Sequence, residues 1–255
     1  MTLLAWIIVF SLVGGVLSVL AASVFLILPE GVRSRLLPHL ISFAIGALLG
    51  AAFLALLPHA LATTGDPHDI GLAVLLGLLT FFLLEKMVLW RHCHSGECET
   101  HTLAHGNHAA GTLILIGDGM HNLVDGVLIG AAFLVDIHLG VVTALAVAAH
   151  EIPQEVGDFA VLLHSGFSRR KALLYNVLSS FTTLIGALGA WWSLAGIQWV
   201  LPYVLAVAAS SFIYIAVADL IPGLHRKVHL SATLQQFGLI TAGVLVIWLA
   251  HSTLH

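Results

Sequence analysis

Residues 139–164 read L-G-V-V-T-A-L-A-V-A-A-H-E-I-P-Q-E-V-G-D-F-A-V-L-L-H. The stretch is long enough to cross a bilayer as a helix, which takes about 20 predominantly apolar residues. Yet it holds His150, Glu151, Gln154, Glu155 and Asp158, which fall on one broad helical face. Seven further apolar runs accompany it, at roughly 4–28, 38–61, 70–90, 109–134, 172–192, 199–222 and 233–250. None shows the ten-residue alternation of a transmembrane β-strand. The expected fold is all-α: a polytopic membrane protein of eight transmembrane helices, forming one domain over residues 1–255.

Composition excludes the main alternatives. The chain is 59% hydrophobic and 9% charged, with two Cys. A soluble surface needs about 25% charged residues, and a disulfide scaffold needs more cysteine. Met1–Phe10 carries no basic n-region, so the first run reads as a retained helix rather than a cleaved signal peptide. No nucleotide-binding motif appears, which excludes an ATP-driven pump for this chain alone. Histidine is in excess, at 16 residues against nine Lys and Arg.

The basic residues orient the spans. Arg33 and Arg35 follow the first run, and Lys86 and Arg91 mark the end of the third. Arg169, Arg170 and Lys171 precede the sixth run, and Arg226 and Lys227 follow the seventh. All fall on one side, which the positive-inside rule makes cytoplasmic. The opposite connections hold Asp66, Asp69 and Asp136. Both termini are therefore expected outside.

Asp118, Asp125, Glu151, Glu155, Asp158 and Asp219 lie within the runs. Each centrally placed charge costs about 2.5–3.5 kcal/mol on insertion scales, so these acids need a proton, a partner, water or a cation. In the fourth run Asp118, His121, Asn122 and Asp125 follow the spacing i, i+3, i+4, i+7 of a single face. Counting from the helix ends at 1.5 Å per residue brings His121 and His150 to similar depth. Imidazole and carboxylate on two facing helices are how helical bundles build divalent metal sites. The donor set suits zinc, iron or manganese. Asn122 and Gln154 would be weak neutral ligands, which favours release from a conducting site. Pro153 frees the carbonyl of Ala149 beside these residues, and such a break points to a hydrated path. For a single polar residue, an interhelical hydrogen bond would be explanation enough.

At these residues the sequence resembles the ZIP (Zrt-, Irt-like) family of divalent metal transporters. H-N-L-V-D-G, residues 121–126, looks like that family's H-N-x-x-D-G signature. H-E-I-P-Q-E-V-G-D-F-A, residues 150–160, looks like the H-E-x-P-H-E-x-G-D motif of one large subfamily. A-I-G-A-L-L-G-A-A-F-L-A-L-L-P-H-A, residues 44–60, is similar to the family's second helix. The resemblance implies a 3+2+3 arrangement, with helices one to three and six to eight as inverted repeats around four and five. It also implies transport toward the cytoplasm and a homodimer. It further implies a metal site lined by His121, Asn122, Asp125, His150, Glu151 and Glu155. Two departures stand out. Gln154 occupies the position of the motif's second His, and helix six offers Asn176, Ser179, Ser180, Thr182 and Thr183 but no acid. One well-formed site rather than two is therefore expected.

Residues 91–108 read R-H-C-H-S-G-E-C-E-T-H-T-L-A-H-G-N-H. His92, Cys93, His94, Cys98, His101, His105 and His108 favour transition metals by composition, and their spacing matches no zinc finger. A cytoplasmic chelating loop is expected. His59, with Asp66, His68 and Asp69 beyond it, is a candidate for entry, while Asp118, Asp158, Asp219 and His164 are candidates for entry or exit. His251 reads as a bystander.

The expected function is transport of divalent transition metals, zinc first, with Fe2+, Mn2+ and Cd2+ as other candidates. No organic cofactor and no nucleic acid partner are expected, and the expected setting is a prokaryotic inner membrane. Two alternatives compete. H-E-I-P-Q resembles the zincin H-E-x-x-H of a zinc hydrolase, but its second His is missing. A metal sensor without flux would keep the same residues.

Overall fold

The computed structural model describes residues 2–63, 66–92, 108–225 and 229–254. Among them are eight long helices and no strand. They are α1 (Leu3–Ile27), α2 (Glu30–Thr63), α3 (Pro67–His92), α4 (His108–Val135), α5 (Ile137–His164), α6 (Arg169–Leu194), α7 (Gln198–Leu224) and α8 (Leu230–Leu254). All but α5 are long and apolar enough to cross a membrane by length and composition, and α4 is the least apolar of these at mean hydropathy 1.3. The polarity is thus concentrated in α4 and α5, and in α5 it lowers the hydropathy of a 28-residue helix. That helix is nevertheless continuous through Pro153.

The helices run up and down. Thr63, Leu134, Val135, Gln198 and Leu201 line one cleft of about 230 Å3, so α2 and α4 end where α7 begins. At the other end of the bundle the start of α4 meets the α5–α6 turn, where Gly111 lies against Ser165 and Phe167. At the Asp136 end, the Asp136 side chain accepts hydrogen bonds from the amides of His138 (2.8 Å) and Leu139 (3.1 Å) and caps α5. This is the standard relief for unpaired N-terminal amides. At the Ser168 end, Gly166 adopts φ 90°, which its missing Cβ allows. Ser168 then caps α6.

Burial shows an internal symmetry. α1 and α6 are each 33% buried over their apolar windows, α2 and α7 are 61% and 50%, and α3 and α8 are each 11%. Packing agrees: α3 lies on α7 and α8 on α2, while α6 lies on α4 and α1 on α5. Exchanging helices one to three with six to eight, and α4 with α5, maps these pairs onto one another. Partners in the exchange are an odd number of crossings apart, so they run in opposite directions, as in an inverted repeat.

The same exchange relates two local irregularities. α2 contains a π-helical segment, Ala51–Leu56, and α7 contains another, Ile215–Leu220. Each is followed two residues later by proline, Pro58 and Pro222. A proline inside a helix lacks the amide for an i−4 bond and crowds that carbonyl. A wider turn is one way to absorb the mismatch.

Close contact between α4 and α6 depends on glycine. A Cβ on Gly126 would collide with the Thr183 carbonyl, and one on Gly186 would collide with the Leu123 carbonyl. Small residues at such crossings let backbones approach within the bilayer, where van der Waals packing drives association.

Candidate metal centre

α4 and α5 bring together His121, Asp125, His150 and Glu151. Each offers one ligand atom, and the four atoms lie within 4.8 Å of one another. His121 Nε2 is 3.2 Å from His150 Nε2, 3.5 Å from Glu151 Oε1 and 3.7 Å from Asp125 Oδ2. His150 Nε2 is 3.1 Å from Asp125 Oδ2 and 3.7 Å from Glu151 Oε1. A zinc ion bound tetrahedrally at 2.0–2.1 Å needs ligand atoms about 3.3–3.4 Å apart. The five separations bracket that edge.

The electrostatics suit a cation. His150 Nδ1 lies 3.1 Å from the Ala146 carbonyl. A carbonyl only accepts, so Nδ1 carries the proton and the neutral ring turns the Nε2 lone pair toward the cluster. That lone pair faces a carboxylate oxygen. Asp125 and Glu151 are 0% exposed, and none of their four oxygens has a hydrogen-bond partner among the described residues. Buried carboxylates without a hydrogen-bond donor are expensive in a low-dielectric interior, and a bound metal ion would relieve the cost. The Phe212 ring, 6.3 Å from that of His150, helps close the site. His121 is the accessible edge, with 26% of its side chain exposed against 1% or less for the other three.

The remaining candidates fall into separate places. Asn122 donates to the Asp118 carboxylate at 2.8 Å and accepts from the Thr183 hydroxyl at 2.7 Å. Ser179 donates to the other Asp118 oxygen. Asn122 and Asp118 thus join α4 to α6 by hydrogen bonds. Gln154 is half-buried one turn beyond His150 on the same face. Glu155 is buried beside Asn176, and Asp158 is half-buried. Cys93, His94, Cys98, His101 and His105 lie outside the described residues. His92 ends α3 and His108 begins α4.

Three contacts are not directly legible in the sequence. His251 on α8, which reads as a bystander, instead meets His59 on α2, with ring centroids 5.9 Å apart. Tyr214 donates to Glu85, an acid inside the third apolar run, and Asp219 lies within electrostatic range of Glu85. Thr183 and Ser179 complete the hydrogen-bond chain through Asn122 and Asp118. The spacing 176, 179, 183 of one α6 face was a usable signal for the last.

Known proteins resemble this chain over most of its length. A family profile described as ZIP zinc transporter matches residues 90–250. Zinc transporter ZIP13 of Pongo abelii is 37% identical over 227 residues, covering 82% of this chain and 65% of that protein. ZIP13 of Mus musculus is 33% identical over 250 residues, covering 82% of this chain and 68% of its own length. Zinc transporter ZIP4 of Homo sapiens is 31% identical over 260 residues, covering 76% of this chain and 40% of that protein. The chain therefore spans about two thirds of the ZIP13 proteins' length and less of ZIP4. With the histidine–carboxylate cluster set on two central helices and the profile running through both, the chain belongs to the ZIP zinc transporter family.

Proposed function

We propose that this integral membrane protein carries divalent transition-metal ions, zinc foremost, across the bilayer toward the cytoplasm through the His121–Asp125–His150–Glu151 centre. The observation that carries the reading is the set of four ligand atoms within 4.8 Å of one another in the interior, with their carboxylates otherwise unpartnered among the described residues. Naming of the relatives as zinc transporters supports the same substrate. In this reading α5 crosses the membrane with the other seven helices. The Ser168 end is cytoplasmic, since Arg33, Arg35, Lys86, Arg169, Arg170 and Lys171 gather there. The His- and Cys-rich 91–108 connection then collects ions on that side. A homodimer belongs to the proposal through the family resemblance. The proposed prokaryotic inner membrane rests on the short connections between helices; the relatives compared above are vertebrate.

The centre argues against a hydrolase. A catalytic zinc keeps one position open for water beside three protein ligands, whereas here four protein side chains each offer a ligand atom to one point. The test is zinc flux into proteoliposomes. His121→Ala and His150→Ala are each expected to abolish it while the protein stays folded. Undiminished flux in both variants would overturn the site, and saturable zinc binding without any flux would favour a sensor.

A further inference from the structure

A cationic cleft at the Ser168 end of the bundle plays no part in the four-atom centre. Arg169, Arg170 and Lys171 form the first turn of α6 and are exposed. The ion pairs among the described residues all lie in the histidine cluster, so none of the three is neutralised there. Helix formation does not call for them, since the N-terminus of a helix carries partial positive charge and repels cations. Beside them lies a cleft of about 480 Å3, lined by Gly166, Phe167, Ser168, Lys171 and Tyr175. The Phe167 and Tyr175 rings meet edge to face at 5.8 Å and give it an aromatic wall. A Cβ on Gly111 of α4 would collide with the Phe167 ring, so α4 holds that ring in place.

The depth is that of lipid headgroups. Trp192 at the far end of α6 is 83% exposed, and Trp199 at the start of α7 is 74% exposed. Exposed tryptophan marks a membrane interface. Arg170 lies about 33 Å along α6 from Trp192 at 1.5 Å per residue. The hydrocarbon core is about 30 Å thick, so the first turn of α6 reaches the opposite headgroup layer. On the side proposed above as cytoplasmic, that layer carries anionic lipid. A topology signal alone needs positive charge anywhere in this connection. It does not need that charge gathered at a cleft with an aromatic wall. The wall in turn favours an occupant with acyl chains over a free anion.

We propose that the cleft at the α5–α6 turn binds the phosphate headgroup of an anionic phospholipid. Lys171 meets the phosphate from the cleft itself, and Arg169 and Arg170 supply the surrounding positive charge. The Tyr175 hydroxyl donates to a phosphate oxygen. The lipid thereby fastens the end of α5, the helix that carries His150 and Glu151, to one leaflet. Only the choice of leaflet rests on the orientation proposed above; the binding does not rest on transport.

The test is native mass spectrometry of the full chain in neutral detergent, titrated with phosphatidylglycerol or phosphatidylcholine. Phosphatidylglycerol should bind at least about tenfold more tightly, because each cation near an anionic lipid surface contributes about fivefold. Arg169→Gln/Arg170→Gln/Lys171→Gln should erase the difference. Arg33→Gln/Arg35→Gln/Lys86→Gln removes the same charge from the same end and should leave it intact. Tyr175→Phe keeps every charge and should weaken phosphatidylglycerol by about tenfold, as for a lost hydrogen bond to a charged group. Excess glycerol phosphate should not displace the lipid. Thermal unfolding checks that each variant is folded, and Lys171→Gln alone, with about a fivefold loss, serves if the first triple variant is not. Equal affinity of the wild type for the two lipids would overturn the proposal, as would an equal loss in both triple variants. Displacement by glycerol phosphate would overturn it too, in favour of a free-anion site.

Discussion

Asp125→Asn should act in opposite directions on the metal-free and metal-bound protein. Both Asp125 oxygens are buried and unpartnered, and one of them faces the Nε2 atoms of both histidines. Glu151 stands in the same cluster. Without metal, the substitution removes a buried charge and its repulsion by a second carboxylate. The full cost of a charge at this depth is about 2.5–3.5 kcal/mol, so metal-free stability should rise by a fraction of that, about 1–2 kcal/mol. With metal, asparagine keeps an oxygen ligand but loses its charge. A charged contact exceeds a neutral one by about 1.3 kcal/mol, which is about ninefold in Kd. At a zinc concentration of 100 times the wild-type Kd, binding stabilises the wild type by about 2.7 kcal/mol and would stabilise the variant by about 1.5 kcal/mol. Unfolding in nanodiscs, with chelator and with zinc, reads both quantities. A metal-free Asp125→Asn protein less stable than wild type by 1 kcal/mol or more, on the scale of a lost buried hydrogen bond, would refute the reasoning. The carboxylate would then be a structural acceptor.

Other substitutions test the surroundings. Thr183→Val keeps the shape but strips the donor from Asn122, so stability should fall by about 1–3 kcal/mol, with Thr183→Ser recovering most of it in the same unfolding assay. Gly126→Val should be far worse, since the α4–α6 approach leaves no room for a side chain, and loss of folded protein on size-exclusion chromatography is the expected readout. Gln154→His places a second imidazole one turn beyond His150; zinc should bind more tightly in calorimetry and leave more slowly, lowering proteoliposome flux.

What could be read from sequence was what repeats along a single helix. The eight apolar runs, the one-sided basic residues and the matched faces of α4 and α5 are all local periodicities, and His121, Asp125, His150 and Glu151 came from them. Contacts that depend on which helix lies next to which were harder. Asn122 looked like a ligand because its spacing matches His121 and Asp125, but its amide is engaged by Asp118 and Thr183 across the α4–α6 crossing. The polar residues of α6 were ambiguous because Ser and Thr in a helix can satisfy themselves on their own backbone, as Thr182 also does with Ser179. His251 carries no local signal at all; only the packing of α8 on α2 brings it to His59. Pro58 and Pro222 were visible, but the wide turns before them were not, since a proline can equally kink a helix or end it.

The wide turn in α2 also acts as a rotation. A π-bulge carries one residue more than the α-helix it interrupts, and each residue of an α-helix advances the azimuth by about 100°. Everything beyond Leu56 therefore points about a quarter-turn away from where an uninterrupted helix would aim it. His59 is in that rotated part, three residues past the bulge, and its ring meets His251. Removing one residue from Ala51–Leu56 would shorten α2 by a small step, but its larger effect would be to swing His59 off α8. The length of that segment is thus a setting of direction, and an alignment gap placed there would change which helices the end of α2 can address.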